Sequence, residues 1–246
     1  MEMPFKQWKV ETLRLTAFNS QASESGDISW WGDLVGVEPE SSLSRKRDNI
    51  LQEQGPFHGG TLHLIRQPFR VDWTLVAPVE DEDSLFPALL PDATYKFYEL
   101  GKKWLALKTC PELNRLAFGP ILGQTVQTRQ LGYEKLASYL PSLTLDPGAQ
   151  DFLYQINRPR DSGSGIPTLR INRLCKWSVS LKSKVSVVMG TAPQVSSESG
   201  QLAAQLELDI NTSEGYKGFF GDTQRLEVFQ ELIDLAVEIS EKGDVP

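Results

Sequence analysis

The chain has 246 residues, 40% of them hydrophobic, with a formal net charge of −7. That is enough apolar material for one large domain or two ordinary ones, and it argues against a general DNA-binding protein, whose whole domain would carry a basic balance. No apolar run of about 18 residues occurs, and MEMPFKQWKVETL lacks the apolar core and cleavage site of a signal peptide, so a cytoplasmic protein with no membrane partner is expected.

In chain order, the string QWKVETLRLTAF predicts a first strand over residues 6–18, imperfect in its alternation and open to a bulge. A long polar stretch, 19–60, follows; SWWGDLVG within it, with Trp30 and Trp31, reads as a short helix or packed loop. Such a long connection suggests a functional or disordered loop, and it carries Arg45, Lys46 and Arg47. TLHLIRQPFRVDWTL predicts a hairpin centred on Gln67 and Pro68, which would set Leu62 against Trp73, Leu64 against Val71 and His63 against Asp72. One face then holds Leu62, Leu64, Phe69, Val71, Trp73 and Leu75, apolar apart from Arg66; Pro68 suits a longer loop or a cis peptide.

After the acidic run Glu80 to Asp83, apolar residues Ala93, Phe97, Leu100, Trp104 and Leu107 recur at helical spacing and predict an amphipathic helix over 92–108. A strand over 114–127, a helix over 130–140 and the connector PSLTLDPGAQ complete the first half. The second half opens with a strand over 151–158 and the flexible loop RDSGSGIP. A strand region over 169–189 then puts Leu169, Ile171, Cys175, Trp177, Val179, Leu181, Val185 and Val187 on one face and Arg170, Asn172, Lys176, Ser178, Ser180, Lys182 and Lys184 on the other. Past a Ser/Gly-rich loop over 192–200, QLAAQLELDIN turns Leu202, Ala204, Leu206, Leu208 and Ile210 inward and Gln205, Glu207 and Asp209 outward. A closing helix over 223–242, capped by Asp222 and stopped at Gly243, carries a stripe of Leu226, Phe229, Ile233, Ala236, Val237 and Ser240.

Charge is unevenly distributed along this order. Residues 155–190 hold seven basic side chains (Arg158, Arg160, Arg170, Arg173, Lys176, Lys182, Lys184) and one acid, Asp161. A strand-borne positive face in an acidic protein suits docking of an anionic partner, because opposite potentials steer encounter and fix register. The bland alternative is internal neutralisation by Glu207 and Asp209 on a neighbouring strand. Arg173 falls on the apolar face of its strand, where it needs a carboxylate or carbonyl partner or a pocket to line.

Catalytic signals are weak. Only His58 and His63 are present, without the spacing of a metal motif, so no metal ligands and no cofactor are assigned. A His63–Asp72 pair, or Glu207 with Asp209, would be the starting point for a hydrolase. GPFHGG and DSGSG lack the lysine ending of a phosphate loop, and Ser164 has no evident activating partners. Cys110 and Cys175, the only cysteines, exclude a disulfide framework or zinc ribbon and are expected to be buried.

The strings DFLYQINRPR, RINRLCKWSV, LELDIN and the closing helix with EKGD, with SWWGDLVG and GPFHGGTLHL, resemble a sporadically distributed, uncharacterised bacterial family of about this length. The resemblance implies a bacterial, soluble protein and carries over no catalytic residue.

These readings together predict an α+β fold: antiparallel sheet segments packed against two long amphipathic helices, in two similar strand-then-helix halves, 1–145 and 146–246, or one continuous domain. The leading functional expectation is a non-catalytic binding or assembly protein, with a protein partner or a second copy of itself at Arg158, Arg160, Arg170, Arg173, Lys176 and Lys182. A nucleic-acid or nucleotide binder using the same face, and an uncharacterised hydrolase, are the alternatives.

Overall fold

The computed structural model describes residues 4–20, 29–78, 87–146, 148–182, 185–188, 194–197 and 200–244, of which 185–188 and 194–197 by backbone alone. The acidic run Glu80 to Asp83 and Lys184 lie outside the described residues, as do the side chains of Val185 and Val187.

One antiparallel sheet of 11 strands organises the molecule. Its strands are β1 (Lys9–Asn19), β2 (Ser41–Arg45), β3 (Ile50–Phe57), β4 (Gly60–Gln67), β5 (Arg70–Val76), β6 (Leu113–Phe118), β7 (Ile121–Val126), β8 (Leu153–Asn157), β9 (Arg160–Asp161), β10 (Arg170–Lys182) and β13 (Gln201–Thr212). Across the sheet the order is β2, β3, β4, β5, β1, β6, β13, β10, β8, with β7 also between β1 and β13 and β9 beside β10. Among the described residues four helices accompany it: α1 (Trp30–Val35), α2 (Pro91–Ala106), α3 (Arg129–Ala137) and α4 (Asp222–Lys242). A separate ribbon pairs β11 (Val185–Val188) with β12 (Gln194–Ser197).

This architecture overturns the expectation of separate sheet segments packed on two long helices in two similar halves. A continuous sheet dominates, its middle strand β13 comes from the second half of the chain and pairs with β6 and β7 from the first, and α1 and α3 are short. Alternation along a strand reveals which side chains share a face but not which strand lies beside it, so a continuous sheet and two separate ones read alike. Strands β2 and β3 were hidden for a related reason: SSLSR is exposed along its whole length and ILQEQGPF is mostly half-buried, with only Gly55 buried, leaving no apolar face to alternate.

Four local expectations also change. In the β4–β5 hairpin Gln67 faces Arg70, so Leu62 meets Leu75, Leu64 meets Trp73, and His63 meets Thr74 instead of Asp72. Parity is unaffected by this shift of two, so Leu62, Leu64, Val71, Trp73 and Leu75 still share the buried face, while Phe69 sits exposed at the tip. The strand expected over 169–189 ends at Lys182, and the loop expected over 192–200 contains β12. Asp222 is the first residue of α4, preceded by Gly221, whose N–H donates to the Gln224 side chain at 2.9 Å.

Helices α2, α3 and α4 pack on the sheet face that carries Leu13, Leu15, Leu116, Phe118, Leu122, Leu206 and Ile210. Aromatic residues fill the layer between. Trp30, Trp31, Trp73 and Trp104 meet at ring separations of 5.5 to 6.4 Å, with the Arg66 guanidinium 4.4 Å over Trp30. A second group joins Trp8, Tyr139 and Trp177 under α3 and the end of α4. Large aromatic surfaces removed from water supply much of the driving force for such a layer. Among the described residues no helix is long and apolar enough to cross a membrane.

Candidate binding surface

The expected basic residues are brought together only in part, and each that reaches an acid is tied down by it. Arg158 donates from Nε and Nη2 to the Asp244 carboxylate at 2.6 and 3.0 Å. Tyr154 adds its hydroxyl at 2.8 Å. Arg173, only 4% exposed on the core-facing side of β10, contributes its charge to the same carboxylate. Hydrogen bonds from Arg158, aided by Tyr154 and by the charge of Arg173, hold the Asp244 carboxyl below the usual aspartate range. Of the carboxylate, carbonyl or pocket that the sequence left open for Arg173, the carboxylate comes from a residue 71 positions away, just past the end of α4.

The remaining cations follow the same pattern. Arg160 lies 3.5 Å from Glu238 on α4, and Arg170 lies 3.3 Å from Asp161. Lys176 faces Glu207 across the β10–β13 ladder, with Nζ 2.9 Å from the carboxylate, and Lys182 reaches Glu11 on β1 at 3.1 Å. Glu207 was visible in the sequence as a counter-charge; Glu11, Glu238 and Asp244 were not, because each comes from a distant segment. The positive segment therefore serves largely to tie strands β8 to β10 to α4 and β1.

Residues opposite the helix-covered face form a polar surface that no helix of the described residues covers. At one end Phe18 lies between Arg70 and Arg115, whose guanidinium carbons are 5.5 and 5.1 Å from its ring centre. Asp72 is held by Arg70 at 2.7 and 2.8 Å and by the Thr16 hydroxyl at 2.6 Å. Arg115 reaches Glu214 at 2.6 Å, and Asn211 links Asp209, Asn172 and Arg115. These groups satisfy one another.

The middle of the surface is different. Strands β6 and β7 are two pieces of one lane between β1 and β13, interrupted at Gly119 and Pro120. Over that interruption lies the side chain of Arg14, from β1. A Cβ at position 119 would stand 3.3 Å from Arg14 Nη2, 3.6 Å from its Nε and 3.2 Å from the Leu208 carbonyl oxygen, so glycine makes the space the guanidinium occupies. Arg14 is half-buried with its Nε fully so, and among the described residues its guanidinium has no hydrogen-bond or ion-pair partner. It borders a depression of about 420 Å³ shared with Thr12, Thr74, Gln155, Lys176 and Asp209. Arginine is pre-organised for bidentate contact with a carboxylate or phosphate, and a desolvated guanidinium left unpaired costs folding free energy. Sequence reading missed Arg14 because LRLT looks like any half-buried strand, and nothing local marks which outward cation lacks an acid.

Groups that would support catalysis stay apart. The hairpin register puts Thr74, not Asp72, across from His63, and desolvation lowers the His63 pKa, favouring the neutral imidazole. His58 Nδ1 lies 3.3 Å from Asp92 at an exposed corner. Ser164 pairs with Ser162, which donates to Glu231 at 2.6 Å while the Gly163 N–H reaches the other Glu231 oxygen at 2.7 Å, so the DSGSG loop is stapled to α4. Both cysteines are free and buried, and burial pushes each thiol up to about 12. No group of three or more His, Cys, Asp or Glu side chains placed to hold a metal ion occurs among the described residues. No family model matches the chain, and no curated protein matches its sequence.

Proposed function

We infer that the protein is a non-catalytic binding or assembly protein of the cytoplasm that docks an acidic partner on its uncovered sheet face, with Arg14 as the principal contact. The observation that carries this reading is the contrast on that face: Arg70, Arg115, Lys176 and Lys182 each have an internal acid, whereas Arg14, seated over Gly119, has none among the described residues. A carboxylate or phosphate from a partner would satisfy two guanidinium N–H groups at once, and the nearby Thr12 and Thr74 offer hydroxyls. The six basic residues of the second half then support the face rather than form the contact.

Stability and capture must respond in opposite ways to the same change. Replacing an unpartnered, half-buried charge by an apolar side chain of similar length removes part of a desolvation cost, so Arg14→Met should leave the free protein's melting temperature unchanged or higher. Arg14→Met and Arg14→Glu should both abolish capture of the partner that wild-type protein retains from its source cells, with Lys103→Gln, on α2 away from this face, as the control that keeps it. A melting temperature lowered by more than about 5 °C in Arg14→Met, or capture retained by Arg14→Glu, would overturn the assignment.

A further inference from the structure

The two edges of the sheet are not alike. On one side β8 and β9 both lie beside β10, with Arg158 and Pro159 between them, so that edge is short and broken by a proline. On the other side β2 pairs with β3 in unbroken register from Ser41 to Arg45, and no strand of the described residues lies along its outer side. The outward amides and carbonyls of β2 form a template for a further strand. Proline, lysine or a bulge commonly guards such an edge; SSLSR has none of these, and its one charge, Arg45, stands at the end.

Charge around this strand is arranged so that the segment complements itself. Glu38 and Glu40 precede β2, whereas Arg45, Lys46, Arg47 and Asp48 close it, giving an acidic start and a net basic end. All six side chains are exposed, and among the described residues none of them forms an ion pair.

Antiparallel pairing sets the start of one strand against the end of the other. Centred on Leu43, it would place Glu40 opposite Lys46, Ser41 opposite Arg45 and Ser42 opposite Ser44 of a second copy, each pair occurring twice about the two-fold axis. Glu38 falls opposite Asp48 but diagonal to Lys46 and beside Arg47, so the acidic start still meets a net positive end. Parallel pairing in register would stack acid on acid and base on base. At the axis the two Leu43 side chains would meet; Leu43 is 49% exposed in the single chain, so their contact removes apolar surface from water.

We propose that the protein forms a two-fold dimer through β2, joining the sheets of two copies, with its register fixed by the Glu40–Lys46 pairs and the Leu43 contact. This edge is separate from the Arg14 surface, and neither assignment depends on the other.

The test is sedimentation equilibrium of the full chain from micromolar to hundreds of micromolar concentration, joined to cross-linking at the axis. The wild-type mass should rise from monomer to dimer over this range. Glu40→Lys should weaken the dimer about tenfold at low salt, and the exchanged variant Glu40→Lys/Lys46→Glu should restore it, because opposite charges meet again across the axis. Leu43→Asp, which brings two like charges together at the axis, should leave only monomer. Leu43→Cys should give a disulfide-linked dimer on addition of diamide, since directly opposed residues of antiparallel strands lie within disulfide reach, whereas the wild-type chain, whose two cysteines are buried, should not cross-link. The proposal is overturned by a wild-type chain that stays monomeric throughout, by a dimer that Glu40→Lys or Leu43→Asp leaves intact, by an exchanged variant that associates no better than Glu40→Lys, or by a Leu43→Cys protein that diamide links no faster than wild type.

Discussion

Removing the Asp244 carboxylate is the sharpest perturbation of the fold. The side chain is 2% exposed and receives three hydrogen bonds, two from Arg158 and one from Tyr154, with Arg173 close by. Its backbone N–H also donates to the Tyr139 carbonyl at 2.8 Å, so the end of α4 is latched onto α3 and the β8–β10 edge. Hydrogen bonds to a charged group contribute roughly 1.5–3 kcal/mol each, but Arg158 is 31% exposed and water can replace part of what it loses, so about 1 kcal/mol per bond is the safer figure. Asp244→Ala should therefore cost about 3 kcal/mol, or roughly 6–12 °C in melting temperature at this chain length, read by tryptophan fluorescence in thermal and urea unfolding. Because the folded pKa of Asp244 lies below the ordinary aspartate value, its contribution is complete above about pH 4 to 5 and is lost as the pH falls through the folded value. The stability gap between wild type and Asp244→Asn should thus be flat from pH 8 to about 5 and close in stronger acid. A melting shift under about 2 °C for Asp244→Ala, or a gap that persists unchanged in strong acid, would refute the reasoning.

Further outcomes follow from the same geometry. Gly243→Ala should reproduce the Asp244→Ala phenotype without adding to it in the double variant, because Gly243 has φ +79° and a Cβ there would meet the Tyr139 backbone, undoing the same latch. Gly101→Ala, in the middle of α2, should lower stability by about 1–2 kcal/mol in urea titration even though alanine is the better helix former: its Cβ would stand 2.8 Å from the Phe229 ring and 3.2 Å from Leu15, and overpacking outweighs the propensity gain of about 1 kcal/mol. Lys176→Gln and Lys182→Gln should each change stability by no more than about 1 kcal/mol, since their ion pairs are partly solvated. Neither Cys110 nor Cys175 should react with a thiol reagent at pH 8 in the native protein, and both should react in denaturant; fast labelling of the native chain would contradict their burial and raised pKa.

The sequence by itself determined the elements whose periodicity is written in apolar residues. Ala93, Phe97, Leu100 and Trp104 specify α2 to within about two residues, Phe229, Ile233 and Ala236 specify α4, and the alternation of Ile171, Cys175, Trp177 and Val179 specifies most of β10, because burial on one face imposes the period of the element on the chain. It also signalled that Arg173 needs a carboxylate or carbonyl partner or a pocket to line. Which partner, and what each described cation of the basic segment does, only the tertiary structure decided: Asp244, Glu238 and Glu11 arrive from segments remote in sequence, and a strand's pattern carries no record of its neighbours. For the same reason Arg14 could not be singled out from LRLT. Its lack of an acidic partner is a property of a whole sheet face, set by where Gly119 interrupts the adjoining lane and by which carboxylates the remaining cations have already taken.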